Sequence, residues 1–176
     1  MGRMEMRLSG SGGQGLSLAA IILAEAAASE GKNVVQTQSY GPEARGGASK
    51  AEVIIDDAEI DYPVVTEPEV LLCMSEKAYE KYVPSFKGKT LILDSTFIDS
   101  CPEIDGVNVY SLPITKLARE KVGRQIVANI VALGALNGIV KIIDDASLEQ
   151  AVLNRAPKGT EEMNKKALEV GLELVR

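Results

Sequence analysis

Hydrophobic positions along this chain follow two rhythms, short strand-like runs and longer helical stretches. Residues 6–9 read as a first strand. LSLAAIILAEAAASE (16–30) reads as a helix with a small, apolar face, and Gly31 follows it where a terminating glycine is common. NVVQTQSY (33–40) alternates as a second strand, and AEVIID (51–56) reads as a third after the turn-rich GPEARGGASK. EPEVLLCM (67–74) reads as a buried strand, and SEKAYEKYV (75–83) as a short amphipathic helix with Ser75 as its N-cap. KTLILD (89–94) is apolar throughout, as central parallel strands are, and VNVYSLP (107–113) adds one more strand. The pattern then turns helical over 114–122, 125–140, 147–155 and 160–176. Alternating strands and helices predict an α/β fold: a three-layer α/β/α arrangement, a mainly parallel sheet, a Rossmann-like glycine turn and C-terminal helices. No repeat, low-complexity segment or linker interrupts the chain, so a single domain over 1–176 is expected.

Composition narrows the class. The 176 residues suffice for one full core, and 45% apolar with 25% charged residues is ordinary for a soluble globular protein. A net charge of -6 argues against nucleic acid as a partner. The apolar runs are too short or too broken to span a bilayer, and the N-terminus lacks a signal-peptide core, so no membrane role and a cytoplasmic location are expected. There is no histidine, which removes the commonest general base and zinc ligand. The two cysteines, Cys73 and Cys101, cannot supply the four thiolates of an iron–sulfur cluster, and no metal site is expected. Each lies in or beside an apolar stretch with no basic sequence neighbour, so both are expected to be buried and inert.

Two loops carry the candidate chemistry. In MRLSGSGGQG, Gly10, Gly12 and Gly15 fit G-x-G-x-x-G, with Ser11, Gly13 and Gln14 completing the turn. A dinucleotide site also needs an acidic residue at the end of the second strand, and here stand Gln36, Thr37, Gln38, Ser39 and Tyr40. Glu30 precedes that strand and is misplaced. NAD and FAD are therefore disfavoured. The free amides and helix dipole could still take a phosphate or carboxylate. Alternatively, the glycines serve only a tight turn and close packing. The second loop is SYGPEARGGASK: Gly41-Pro42 opens it, Gly46-Gly47 closes it, and Glu43 and Arg45 stand between. A displayed carboxylate and guanidinium suit recognition of a partner or an anionic ligand; a solvated surface turn is the other reading. Further on, IVANIVALGALNGIV (126–140) is apolar nearly all round, which places it in the core or in an oligomer interface. Asn129 is expected to bond backbone groups there.

Together GSGGQG and SYGPEARGGASKAEVIID resemble the gamma subunit or domain of the 2-oxoacid:ferredoxin oxidoreductases, and the resemblance runs on through EPEVLLCM, LILDST and LPITKLAREKVGRQIVANIVALGAL to the C-terminus. The wording is nearest the 2-oxoglutarate-type branch; pyruvate, branched-chain 2-oxoacids and indolepyruvate are the alternatives. The resemblance implies a complex that oxidatively decarboxylates a 2-oxoacid to an acyl-coenzyme A and reduces ferredoxin. Its cofactors are thiamine diphosphate with magnesium and iron–sulfur clusters, and coenzyme A is the co-substrate. The implied partners are alpha, beta and ferredoxin-like delta subunits, with ferredoxin as acceptor; a homodimer of this chain stays open. This sequence lacks the thiamine motif, Asp105-Gly106 being the nearest approach, as well as the cluster cysteines. The chain alone is therefore expected to bind none of these cofactors, to carry no catalytic residue and to be inactive. The resemblance implies that it docks against the catalytic subunits and helps complete the active-site and coenzyme A region. Gly10 to Gly15 and Tyr40 to Gly47 are expected to lie together at the C-terminal end of the sheet and to form the surface that faces those subunits. A stand-alone nucleotide-binding α/β protein is the competing reading.

Overall fold

Six strands form one mixed sheet in the order β2-β3-β1-β4-β5-β6, seen in a computed structural model that describes residues 2–39 and 47–176. Here β1 is Met4–Ser11, β2 Asn33–Gln38, β3 Ala48–Asp56, β4 Val70–Cys73, β5 Thr90–Asp94 and β6 Asn108–Leu112. The helices are α1 Leu16–Ser29, α2 Glu76–Tyr82, α3 Ile114–Leu117, α4 Ala128–Val140, α5 Asp145–Arg155 and α6 Glu161–Glu173. Strands β1, β4, β5 and β6 pair in parallel, while β3 pairs antiparallel with both β1 and β2. β3 is the one reversed strand. It fills the place that the β1–α1–β2 crossover leaves open.

The sheet's faces are covered unequally. On one face α1, α4, α5 and α6 pack over Met6, Leu8, Val53, Ile55, Leu72 and Ile92. On the other, α2 and the turn after it cover Leu71, Cys73, Leu91 and Leu93. β4 is buried at every position because both faces are covered there, which explains its unbroken apolar run. Toward β3 the second face turns charged. Arg7 Nε donates to Glu52 Oε1 at 2.7 Å, and Lys50 Nζ reaches the same oxygen at 3.1 Å. Glu5 Oε2 accepts from the Thr66 and Glu67 amides at 3.0 and 3.3 Å, pinning the segment that leads into β4.

The apolar C-terminal helix lies in the core. Ala128 to Asn137 of α4 are all buried. α4 packs on α6 backbone to backbone. A methyl on Gly171 would stand 2.9 Å from the Ala135 amide nitrogen, and one on Gly134 would stand 3.0 Å from that of Leu172. Asn137 Nδ2 donates to Ile143 O at 2.8 Å and its Oδ1 accepts from Ile143 N at 3.1 Å, closing the turn into α5.

Local signals hold at the caps: Ser75 Oγ accepts from Ala78 N at 3.2 Å, and Gly31 adopts φ 80 after α1. Three expectations need correcting. β3 begins at Ala48, three residues before the apolar run, because its first residues pair with the end of β1. The 114–122 stretch is α-helical only to Leu117. It continues as a π turn over Ala118–Val122, closed by Gly123 at φ 91. Cys101 is exposed, since the irregular segment after β5 buries Ile98 and leaves Cys101 on its surface.

Candidate functional site

The glycine turn leads from β1 into α1 at the carboxyl end of the sheet. Gly13 and Gly15 adopt φ 86 and 74, a left-handed region open to glycine at little cost, and Gly15 serves as the N-cap of α1 without a side-chain cap. Gln14 closes the turn on itself. Its Oε1 accepts from Ser11 N at 2.7 Å and its Nε2 donates to Met74 O at 2.8 Å. The carboxamide thus sits over Gly10, where an added methyl would meet Gln14 Oε1 and stand 2.8 Å from Leu16 Cδ1. An amide that a phosphate loop would leave for its ligand is already taken. From behind, Asn129 Nδ2 donates to Gly15 O at 3.0 Å, tying the start of α4 to the turn. Asn129 therefore performs the backbone bonding expected of it.

The described end of the second loop lies beside the first. Gly10 pairs with Ser49 and Ser11 with Ala48, so the start of β3 stands beside the turn. Ser49 Oγ donates to Gly10 O at 3.3 Å, and Ser39 N donates to Lys50 O at 3.0 Å across the hairpin. Ser39 and Gly47 are the described flanks of the loop; Tyr40, Gly41, Glu43, Arg45 and Gly46 lie outside the described residues.

β1 and β4 lie side by side, and the helices that follow them, α1 and α2, cover opposite faces of the sheet, which makes this the kind of switch point where open α/β sheets bind ligands. A crevice of about 440 Å³ opens at this point, lined by Ser11, Gln14, Met74, Glu76, Lys77 and Phe97 among others. On the other side of the turn lies a cavity of about 420 Å³. Gly13, Gly15, Leu18, Arg124, Ile126 and Thr160 help to line it.

Residues the sequence did not single out shape this rim. Asp94 is fully buried at the end of β5. It accepts from Thr115 Oγ1 at 2.5 Å and from the Thr96 amide at 3.0 Å, so it anchors the start of α3. Arg119 stacks its guanidinium 5.9 Å from the Phe97 ring centroid. Cys73 lies beneath the rim, and burial pushes its thiol up to about 12 although the Ser9 hydroxyl bonds it. Such a thiol is protonated and no nucleophile.

Iron–sulfur clusters and metal ions do not fit the described residues. One thiol is buried and the other exposed, and two could not complete a four-thiolate set. Among the described residues no three His, Cys, Asp or Glu side chains gather as a metal site. No described helix is long and apolar enough to cross a membrane.

Comparison with known proteins places this architecture. Residues 5–174 match the family described as Pyruvate ferredoxin/flavodoxin oxidoreductase. The chain is 49% identical to the 2-oxoglutarate synthase subunit KorC of Methanocaldococcus jannaschii, over 99% of this chain and 95% of that one. It is 46% identical to the subunit of the same name from Methanothermobacter marburgensis, over 98% and 97%. The solved keto/oxoacid ferredoxin oxidoreductase gamma subunit of Geobacter sulfurreducens superposes with a TM-score of 0.88 at 44% identity, covering 99% of this chain and 97% of that one. The chain belongs to the pyruvate ferredoxin/flavodoxin oxidoreductase family.

Proposed function

We propose that this chain is the gamma subunit of a 2-oxoglutarate:ferredoxin oxidoreductase, a complex that converts 2-oxoglutarate and coenzyme A to succinyl-coenzyme A and carbon dioxide while reducing ferredoxin. The observation that carries the reading is its 49% identity, over nearly the full length of both chains, to a 2-oxoglutarate synthase subunit. Alpha, beta and delta partners hold the thiamine diphosphate, magnesium and iron–sulfur clusters, which supply the decarboxylation and electron transfer.

This chain contributes position. The Gln14 clamp and the Asn129 tie fix the glycine turn between β1, β4 and α4, so the loop lies preorganised against the switch-point crevice. The crevice and the 39–47 loop then face the catalytic chains and complete the region that admits coenzyme A. Glu43 and Arg45 meet charged groups there, of the partners or of the co-substrate. The occupied Ser11 amide counts against a free-standing dinucleotide enzyme.

Glu43→Ala and Arg45→Ala in the assembled complex test the placement. Turnover is expected to fall by about tenfold or more for each, with weakened assembly or a raised KM for coenzyme A. Unchanged assembly and unchanged kinetics in both variants would remove this loop from the working surface.

A further inference from the structure

Few large apolar side chains are exposed among the described residues, and most of those gather in one place. Among the described residues Leu18, Tyr62, Val64, Phe97 and Ile126 stand out, and three of these surround the glycine turn. Phe97 lines the crevice with Ser11 and Gln14, while Leu18 and Ile126 line the cavity with Gly13 and Gly15. Ile126 is 76% exposed while its neighbour Val127 points inward at 3%. An isoleucine left in water keeps apolar area that a covering partner would bury.

The segment carrying Ile126 is basic in an acidic chain. Lys116, Arg119, Lys121 and Arg124 stand against Glu120 alone, whereas the net charge is -6. Its backbone is also special. The π turn Ala118–Val122 closes with the amides of Gly123 and Arg124 both bonded to Ala118 O, and π turns concentrate at functional positions. Arg119 Nε donates to Gln125 Oε1 at 2.8 Å while its guanidinium lies over Phe97, so one arginine joins the Phe97 patch to the Ile126 patch.

We infer that Leu18, Phe97, Arg119, Arg124 and Ile126 form a docking surface for a different chain of the same complex, one that presents an acidic rim around an apolar depression. The inference rests on the subunit reading above and names a surface outside the two loops. Apolar anchors flanked by arginines are the usual centre of a protein interface. Charge selects the occupant. A two-fold contact with a second copy would set this basic segment against itself. A small anion would pair the arginines and leave Ile126 in water.

The test uses the complex isolated anaerobically through a tag on this chain. Wild type is compared with Ile126→Asp and with the double variant Arg119→Glu/Arg124→Glu. Lys87→Glu, exposed at the opposite end of the sheet, is the control. Both variants are expected to lose about tenfold or more of the partner chains, and the control none. Raising salt from about 50 to about 300 mM should weaken the wild-type association and leave the residual association of the double variant nearly unchanged. Ile126→Ala, which adds no charge, should show a smaller loss with an unchanged melting temperature. Full partner recovery by both variants overturns the inference. So does intact assembly with a raised KM for coenzyme A, which makes the patch a ligand site, or the loss of a homodimer, which makes it a self-contact. A wild-type chain that recovers no oxidoreductase subunit defeats the subunit reading itself, and this inference with it.

Discussion

Cys73 and Cys101 differ in what surrounds each sulfur. Burial holds the Cys73 proton, against the weaker pull of the Ser9 hydroxyl and the charge of Arg7, while Cys101 faces solvent. A disulfide-exchange reagent at pH 8 is therefore expected to titrate one thiol per native chain and two after denaturation. Equal reaction rates for both native thiols would contradict this placement. Burial pushes the folded thiol up from an ordinary 9.0 to about 12, so the native state holds this proton more tightly than the unfolded chain. Its contribution to stability is full below 9.0 and is lost as pH rises toward about 12. Sequence treated the two cysteines alike because each has apolar neighbours. Only the irregular path after β5 separates them. The clamping role of Gln14, named only as part of the turn, escaped for a related reason: its two partners are the nearby Ser11 amide and the Met74 carbonyl just past the end of another strand, and no local pattern records the second. Asn129 was legible because an amide inside an apolar helix must find a partner.

At the scale of elements, the closest packing joins α4 and α6. Gly171→Ala would press a methyl on the Val131 carbonyl and within 2.9 Å of the Ala135 amide, contacts made by backbone that no side chain can relieve. The expected cost is about 1–3 kcal/mol, read as a lower denaturation midpoint with an unchanged m-value. An unaffected midpoint would show that the two helices have room to part. Most elements were legible where one rhythm ran long: α1, β4, β5 and the C-terminal helices fall where the pattern put them. The reversal of β3 was not. Strand direction depends on which edge of β1 the hairpin joins, and the apolar run of 51–56 reads the same either way. The π turn likewise left no mark in the 114–122 pattern, which reads as one continuous helix.

At the scale of the whole molecule, the fold carries the glycine turn, the start of β3 and a basic, partly apolar rim to one end of the sheet. The glycine turn and the YGPEARGG loop identified the family from sequence alone. That the start of β3 stands beside the glycine turn needed the register of β3. A subunit account follows, and its most direct test is anaerobic isolation of the tagged chain from its own cells, with a panel of 2-oxoacids assayed for ferredoxin reduction. The account expects thiamine-binding and iron–sulfur chains to copurify, reduction to require coenzyme A, and 2-oxoglutarate to exceed pyruvate and branched-chain 2-oxoacids by about tenfold or more in kcat/KM. Recovery of the chain alone with a bound nucleotide, or a complex inert toward every 2-oxoacid, would contradict it.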